Sequence, residues 1–114
     1  TLDRANLSHA VLTGADLSNA FLYMASLSNA DLTDADLSSA RMRFANLDNA
    51  LLNGADLRSA ILAPASLSNA NLTGADLEGA NLTGADLTGV YWYDTTCPDG
   101  TNSDNNGNTC VNNL

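Results

Sequence analysis

Few side chains in this sequence have the chemistry that catalysis needs. The chain has one histidine, His9, two cysteines, four arginines and no lysine, against thirteen Asp and Glu residues. General acid–base or nucleophilic catalysis requires a reactive group held beside a base or in a cleft that shifts its pKa. No such set accompanies His9, so we expect no catalytic residues and no cofactor, and we predict that the protein is not an enzyme.

The two cysteines predict a crosslink. Cys97 and Cys110 flank a polar loop rich in Gly, Asn and Asp in a chain without other cysteines. A structural zinc site needs four ligands, and only these two are present, whereas a cysteine pair around such a loop is typical of a disulfide. A disulfide would indicate an oxidising compartment.

The same loop suggests weak cation binding as an alternative. Asn102, Asp104, Asn106 and Gly107 follow the D-x-[DN]-x-[DN]-G start of a calcium loop. Asn replaces the first Asp, and Asn113 stands where the bidentate Glu would be, so few carboxylates remain to hold Ca²⁺. We therefore predict no dedicated metal site.

The apolar residues that must position these groups recur every five residues. Leucine, once replaced by Met42, occupies each fifth position from Leu2 to Leu87, and Trp92 takes the next one. Alanine keeps the same period from Ala5 to Ala85. A period of five suits neither an α-helix nor a flat strand, since successive leucines would turn to different faces. The chain must therefore bend once per repeat, and Gly two residues after Leu suits an unusual φ there.

These repeats resemble the A(D/N)LXX motif of the pentapeptide-repeat family. Segments such as Ala15-Asp16-Leu17 and Ala85-Asp86-Leu87 carry the resemblance, which covers residues 1–94. It implies an all-β fold, a right-handed quadrilateral β-helix with four pentapeptides per coil and just under five coils. Leu and Ala would point inward, and the other three residues of each repeat would point outward.

The end of the predicted β-helix is expected to be closed by bulky side chains and a tail. Solenoids need terminal caps, and Tyr91, Trp92 and Tyr93 lie where the last coil would close. We predict that these aromatic residues plug the C-terminal end. Residues 95–114 then form a polar tail or cap that the Cys97–Cys110 disulfide orders.

One outer face has the composition of a protein interface. We call the side with centres Leu2, Leu22, Met42, Leu62 and Leu82 face one, and the sides that follow along the chain faces two, three and four. Face one combines three of the four arginines with aromatic residues and Met, as interfaces do. Stacked side chains that only shield the coil are the alternative interpretation. The candidate interaction patch, called the face-one patch, comprises Arg4, Phe21, Tyr23, Met24, Arg41, Arg43, Phe44 and Ile61.

Face four carries an acidic ladder, whose members lie twenty residues apart and should stack. Such a face can be solvated, with its carboxylates bonded to nearby backbone, or it can hold a cation weakly, or mimic nucleic acid. Some members of the family resemble duplex DNA and bind a type II topoisomerase, so the resemblance implies a topoisomerase inhibitor as an alternative function. The acidic ladder consists of Asp16, Asp36, Asp56 and Asp76.

On face two, Asn29, Asn49 and Asn69 are expected to hydrogen-bond along the axis.

Composition limits the partners. A net charge of −9 argues against direct nucleic-acid binding, which needs clustered cations, and no apolar stretch approaches the roughly 20 residues of a membrane span. We predict a structural or protein-interaction module with an unidentified protein partner. It would be a monomer, or a weak end-to-end dimer through the N-terminal coil. The expected disulfide and the similarity to exported cyanobacterial members of the family imply the periplasm or the thylakoid lumen.

Overall fold

The chain winds as a coil in which residues twenty positions apart lie side by side. The computed structural model describes all residues from Thr1 to Leu114. Parallel bridges join the residue before each centre to its equivalent twenty residues later, from Asn6–Ser26 to Asp76–Thr96. The twenty-residue stacking expected from the sequence is therefore observed.

The sides of the coil are shorter than ordinary β-strands. Every pairing is an isolated bridge, and the only regular element is a 3₁₀-helix at Ser103–Asn106. In nearly every repeat a turn forms when the N–H at the Ala position donates to the carbonyl of the centre three residues earlier, as from Ala5 to Leu2 at 3.0 Å. Because such a turn returns every five residues, only one residue per side has the extended pairing of a bridge. The all-β expectation thus holds for the parallel pairing, but no continuous strand is present.

The third residue of nearly every turn has a positive φ. This conformation at that position is characteristic of a type II turn, which favours Gly and Asn. Gly74 has a φ of 70° and Asn29 a φ of 58°, so the prediction that glycine occupies a position of unusual φ is confirmed. One turn differs, since the Ala63–Pro64 peptide is cis.

The core is a narrow stack of leucine and alanine. The central leucines of the repeats from Leu22 to Leu77, with Met42 among them, are completely buried, whereas those from Leu2 to Leu17 in the first coil are partly buried. The whole chain measures 36 × 23 × 22 Å. The structure has no helix with the length and apolar character that a membrane crossing requires.

The repeat register continues into the first residues of the tail. Cys97 takes the position of the next centre after Trp92 and is buried. The predicted Cys97–Cys110 disulfide is present. Thr95 takes the position of the next Ala and is also buried. Its hydroxyl donates to the Leu72 carbonyl at 2.7 Å, and its carbonyl accepts from the Ser103 N–H at 2.8 Å. The tail therefore folds back against the last coil.

Of the three aromatic residues expected to plug this end, only Trp92 is buried. Trp92 is 5% exposed and belongs to the core, while Tyr91 and Tyr93 are 63% and 67% exposed. The expectation for the two tyrosines is wrong for a simple reason. Side chains in an extended segment alternate in direction, so the residues on either side of an inward centre point outward.

Candidate protein-interaction surface

The bridge column of face one places a cation against an aromatic ring. Phe21, Arg41 and Ile61 are joined by successive parallel bridges. The Arg41 guanidinium carbon lies 4.9 Å from the centre of the Phe21 ring, within the range of a cation–π interaction. Ile61 is half-buried below them. The coil therefore brings together residues that lie twenty positions apart in sequence.

A second aromatic cluster lies at the adjoining turn. The rings of Tyr23 and Phe44 meet edge to face, with centroids 5.8 Å apart and planes at 87°, a favourable geometry for aromatic pairs. The Arg43 guanidinium carbon lies 5.7 Å from the centre of the Phe44 ring. With Met24, which is 49% exposed, these side chains form an apolar surface edged with positive charge.

Three members of the face-one patch have a backbone conformation that bulky residues avoid. Arg4, Met24 and Phe44 have φ values of 59°, 56° and 59°, at the turn position that Gly or Asn occupies in many other repeats. The left-handed region costs an L-residue about 1–2 kcal/mol. Backbone strain of this kind clusters at functional sites. We therefore expect the long side chains at these three positions to have a role that offsets the cost of the strain.

The positive charge of the face-one patch has no internal partner. Both ion pairs of the structure belong to Arg58 on face four, so Arg4, Arg41 and Arg43 pair with no carboxylate. The one acidic residue on face one is Asp3, whose carboxylate accepts a hydrogen bond from the Tyr23 N–H at 2.9 Å. Face one is thus locally cationic in a chain of net charge −9.

A shallow groove extends the face-one patch around the corner towards face two. It has a volume of about 300 Å³ and runs beside Phe44, Pro64 and Gly84, with Ser66 and Asp86 on its polar side. Much of its lining is apolar, because Phe44 and Pro64 flank it. The groove offers a partner a recess next to the exposed rings.

The aspartates of the acidic ladder are stacked, and Arg58, for which the sequence predicted no role, pairs with two of them. Asp16, Asp36, Asp56 and Asp76 are bridged in order. Arg58 points along this column, and its Nε donates to Asp56 Oδ1 at 2.9 Å and lies 3.8 Å from Asp76 Oδ2. These hydrogen bonds hold the pKa of Asp56 below its ordinary value. The available signal was positional, since Arg58 lies two residues after a ladder aspartate.

The ladder aspartates also bond to their own backbone. The Ser18 N–H donates to Asp16 Oδ1 at 3.0 Å, and the Ser38 N–H donates to Asp36 Oδ1 at 2.9 Å. Hydrogen bonds from the Ser18 side chain and backbone lower the pKa of Asp16. An Asx-turn of this type explains why Asp or Asn suits the position before the centre, and it supports the interpretation of a solvated face.

The asparagines of face two have a different role from the one expected. Asn29, Asn49 and Asn69 form no side-chain hydrogen bonds with one another, and each has a φ near 58° at the third turn residue. Asn tolerates the left-handed conformation better than most residues. The regular spacing of these residues therefore reflects turn geometry and not an axial hydrogen-bond ladder.

The loop considered for calcium is organised by internal hydrogen bonds. Asn102 caps the 3₁₀-helix by accepting from the Asp104 N–H at 2.9 Å, and Asp104 accepts from the Asp94 N–H at 2.8 Å. The Asn106 amide donates to Thr101 Oγ1 at 2.7 Å. No group of three His, Cys, Asp or Glu residues that could hold a metal ion is present.

Comparison with known proteins identifies the repeat. The family model described as Pentapeptide repeats (8 copies) matches residues 1–23, 24–54 and 50–89. No curated protein matches the chain significantly.

Several solved structures are similar to this chain. HetL, a pentapeptide repeat protein involved in heterocyst differentiation regulation from the cyanobacterium Nostoc sp. strain PCC 7120, is 29% identical. Its TM-score is 0.50, over 87% of this chain and 75% of its own. A pentapeptide repeat protein from the Arabidopsis thaliana thylakoid lumen is 28% identical with a TM-score of 0.52, over 82% of this chain and 66% of its own.

Rfr23, a pentapeptide repeat protein from the cyanobacterium Cyanothece 51142, is 44% identical with a TM-score of 0.43. The match covers 70% of this chain but only 58% of Rfr23, so the chain spans less than two thirds of that protein. Together with the family match, HetL and the Arabidopsis protein imply a right-handed β-helix.

Proposed function

We propose, because this chain belongs to the pentapeptide-repeat family, that it is a non-enzymatic protein-interaction module. It binds an acidic protein surface through the face-one patch. The coil is filled by its leucine core, and proteins of this family generally serve as structural or interaction modules. What distinguishes this chain is the set of side chains it presents outward.

The observation that carries the proposal is the unpaired charge of the face-one patch. Arg41 and Arg43 lie over aromatic rings and contact no carboxylate of the chain. Three long residues of the patch, Arg4, Met24 and Phe44, are kept at strained turn positions. A partner with carboxylates set among apolar side chains would complement both the arginines and the exposed rings.

Selection from a random peptide library displayed on phage tests this proposal. We expect the enriched peptides to combine Asp or Glu with apolar residues, and to bind less tightly as salt is added. The double variant Arg41→Glu/Arg43→Glu should weaken their binding by at least about tenfold. The matched control is Arg58→Glu on face four, which should leave binding unchanged. Peptides without acidic bias, or an equal loss in the control, would contradict the proposal.

The alternative function is DNA mimicry by the acidic face, with inhibition of a topoisomerase. The continuous column of bridged aspartates on face four supports it, while the ion pair of Arg58 with Asp56 reduces the negative charge at mid-column. A supercoiling assay with DNA gyrase distinguishes the two functions. Inhibition at micromolar protein that is strengthened by Arg58→Gln would favour mimicry over the face-one proposal.

Several finer features belong to the same proposal. Residues 1–94 would form just under five coils of β-helix, with residues 95–114 as the C-terminal cap. The protein would act as a monomer or as a weak end-to-end dimer through the N-terminal coil. The disulfide and the likeness to cyanobacterial and thylakoid-lumen proteins support an exported location, in the periplasm or the thylakoid lumen.

Weak cation binding by the tail loop remains a lesser proposal. Asp99 accepts hydrogen bonds from Thr101 and Asn113, so a cation would have to displace ordered contacts. Calcium titration with the amide signals of residues 99–110 as readout tests it, and a flat response rejects it.

A further inference from the structure

A groove on face three, opposite the face-one patch, has features that suggest a ligand. It lies where the last coil meets the tail and has a volume of about 350 Å³. Tyr91, Trp92 and Tyr93 line it from the coil, together with Asn71 and Thr73 of the coil below, and Asn108 lines it from the tail. The groove is therefore built by two separate parts of the chain.

The two tyrosines of this groove do not belong to the core. Tyr91 and Tyr93 are 63% and 67% exposed, and neither hydroxyl forms a hydrogen bond within the chain. The two rings project from the same face, two residues apart, which places them about 7 Å from each other. They form a pair of flat apolar surfaces next to the edge of the buried Trp92 ring.

The polar groups of the groove are amides and hydroxyls. The side-chain oxygen Oδ1 of Asn71 accepts from the Thr73 N–H at 3.0 Å, and the NH₂ of the same side chain is free to donate outward. Asn108 makes its hydrogen bond through the backbone, to the Ser103 carbonyl at 2.9 Å, which leaves its side-chain amide available. Asn side chains offer both a donor and an acceptor, as hydroxyl-rich ligands require.

No charged side chain lines the groove, although the chain carries a net charge of −9. A neutral lining disfavours ionic ligands, because their desolvation would not be offset by an opposite charge. Aromatic faces with amide donors and acceptors complement a ligand that has apolar faces and many hydroxyls. We propose that this groove binds a neutral oligosaccharide, with sugar rings stacked on Tyr91 and Tyr93 and hydroxyls bonded to Asn71 and Asn108.

The tail has a defined part in this site. Asn108 lies two residues before Cys110, whose disulfide to Cys97 anchors the tail to the buried core. The disulfide thereby fixes one wall of the groove against the coil. This role goes beyond capping the core, and it is independent of the face-one proposal because it uses the opposite face.

Trp92 gives a direct readout, since it is the only tryptophan of the chain and lines the groove. Its emission should change saturably when the intact protein is titrated with maltohexaose or cellohexaose. Hexagalacturonate, the anionic probe, should give a weaker response or none. Tyr91→Ala and Tyr93→Ala should each lower the affinity by roughly five- to tenfold, whereas Tyr91→Phe should retain it. The control Tyr23→Ala, an exposed tyrosine of face one, should have no effect.

Three results would overturn the assignment. One is the lack of a saturable response to both neutral hexasaccharides. Another is an equal loss of affinity in Tyr23→Ala, which would indicate nonspecific contact with exposed rings. The third is binding of a proline-rich peptide, which also favours aromatic grooves, without binding of either saccharide.

Discussion

Shortening a leucine in the middle of the stack should cost far more than the same change in the first coil. Leu47 is completely buried, with stacked repeats on both sides, whereas Leu7, two coils earlier in the same column, is partly buried. Truncation of a fully buried leucine to alanine costs about 2–5 kcal/mol. In a repeat array each unit contacts only its neighbours, so Leu7→Ala should cost roughly half as much as Leu47→Ala.

Urea unfolding of both variants, followed by far-ultraviolet circular dichroism, measures this difference. The unfolding slope should stay the same while the midpoint falls, and thermal melts should show a drop of about 4 °C for each kcal/mol. Equal losses for the two variants would refute the nearest-neighbour reasoning. A loss below about 1 kcal/mol for Leu47→Ala would refute the burial argument itself.

Three further predictions concern the tail, the turns and the acidic ladder. Replacing both Cys97 and Cys110 by Ala should lower the free energy of unfolding by about 3 kcal/mol, because the disulfide closes a loop with a sequence separation of 13. Thermal unfolding measures this loss, with the reduced wild-type protein as control. An unchanged melting temperature would contradict the prediction. Gly74→Ala should lower the free energy of unfolding by about 1–2 kcal/mol through the φ of 70° alone, since an added Cβ meets only ordinary contacts. Gly74→Asn should lower it by less. The reverse order in urea unfolding would be evidence against the turn assignment. Arg58→Gln should raise the pKa of Asp56 towards its ordinary value, as nuclear magnetic resonance titration can show. Because the folded-state pKa of Asp56 is lowered, the stabilisation from this ion pair is present above about pH 4 and is lost as the pH falls through the folded-state value. If the pKa of Asp56 in the variant equals that in the wild type, the ion pair does not form in solution.

The period of the sequence was sufficient to predict the path of the chain. The five-residue spacing of Leu and Ala requires one bend per repeat, and the match of Asp16 with Asp36 and Asp56 indicated the twenty-residue stacking that the bridges display. The disulfide followed from the cysteine count and the polar loop. These features depend on local pattern, which a sequence records directly.

What the sequence did not reveal depends on side-chain direction and on contacts between coils. Tyr91 and Tyr93 share the aromatic chemistry of Trp92, but their positions beside a centre turn them outward. The ion pair of Arg58 with Asp76 depends on the stacking of neighbouring coils, which the sequence does not display. The sequence likewise does not show that Met24 and Phe44 have a positive φ.

Site-specific photo-crosslinking tests most directly whether an acidic partner docks on face one. A photoreactive benzoylphenylalanine is placed at Tyr23 in one variant and at Thr73 of face three in a second, and each is irradiated with an acidic peptide obtained by selection. We expect an adduct from position 23 only, and we expect it to be lost when Arg41 and Arg43 are changed to Glu. An adduct from position 73 of equal yield, or none from position 23 with a peptide that binds, would contradict it.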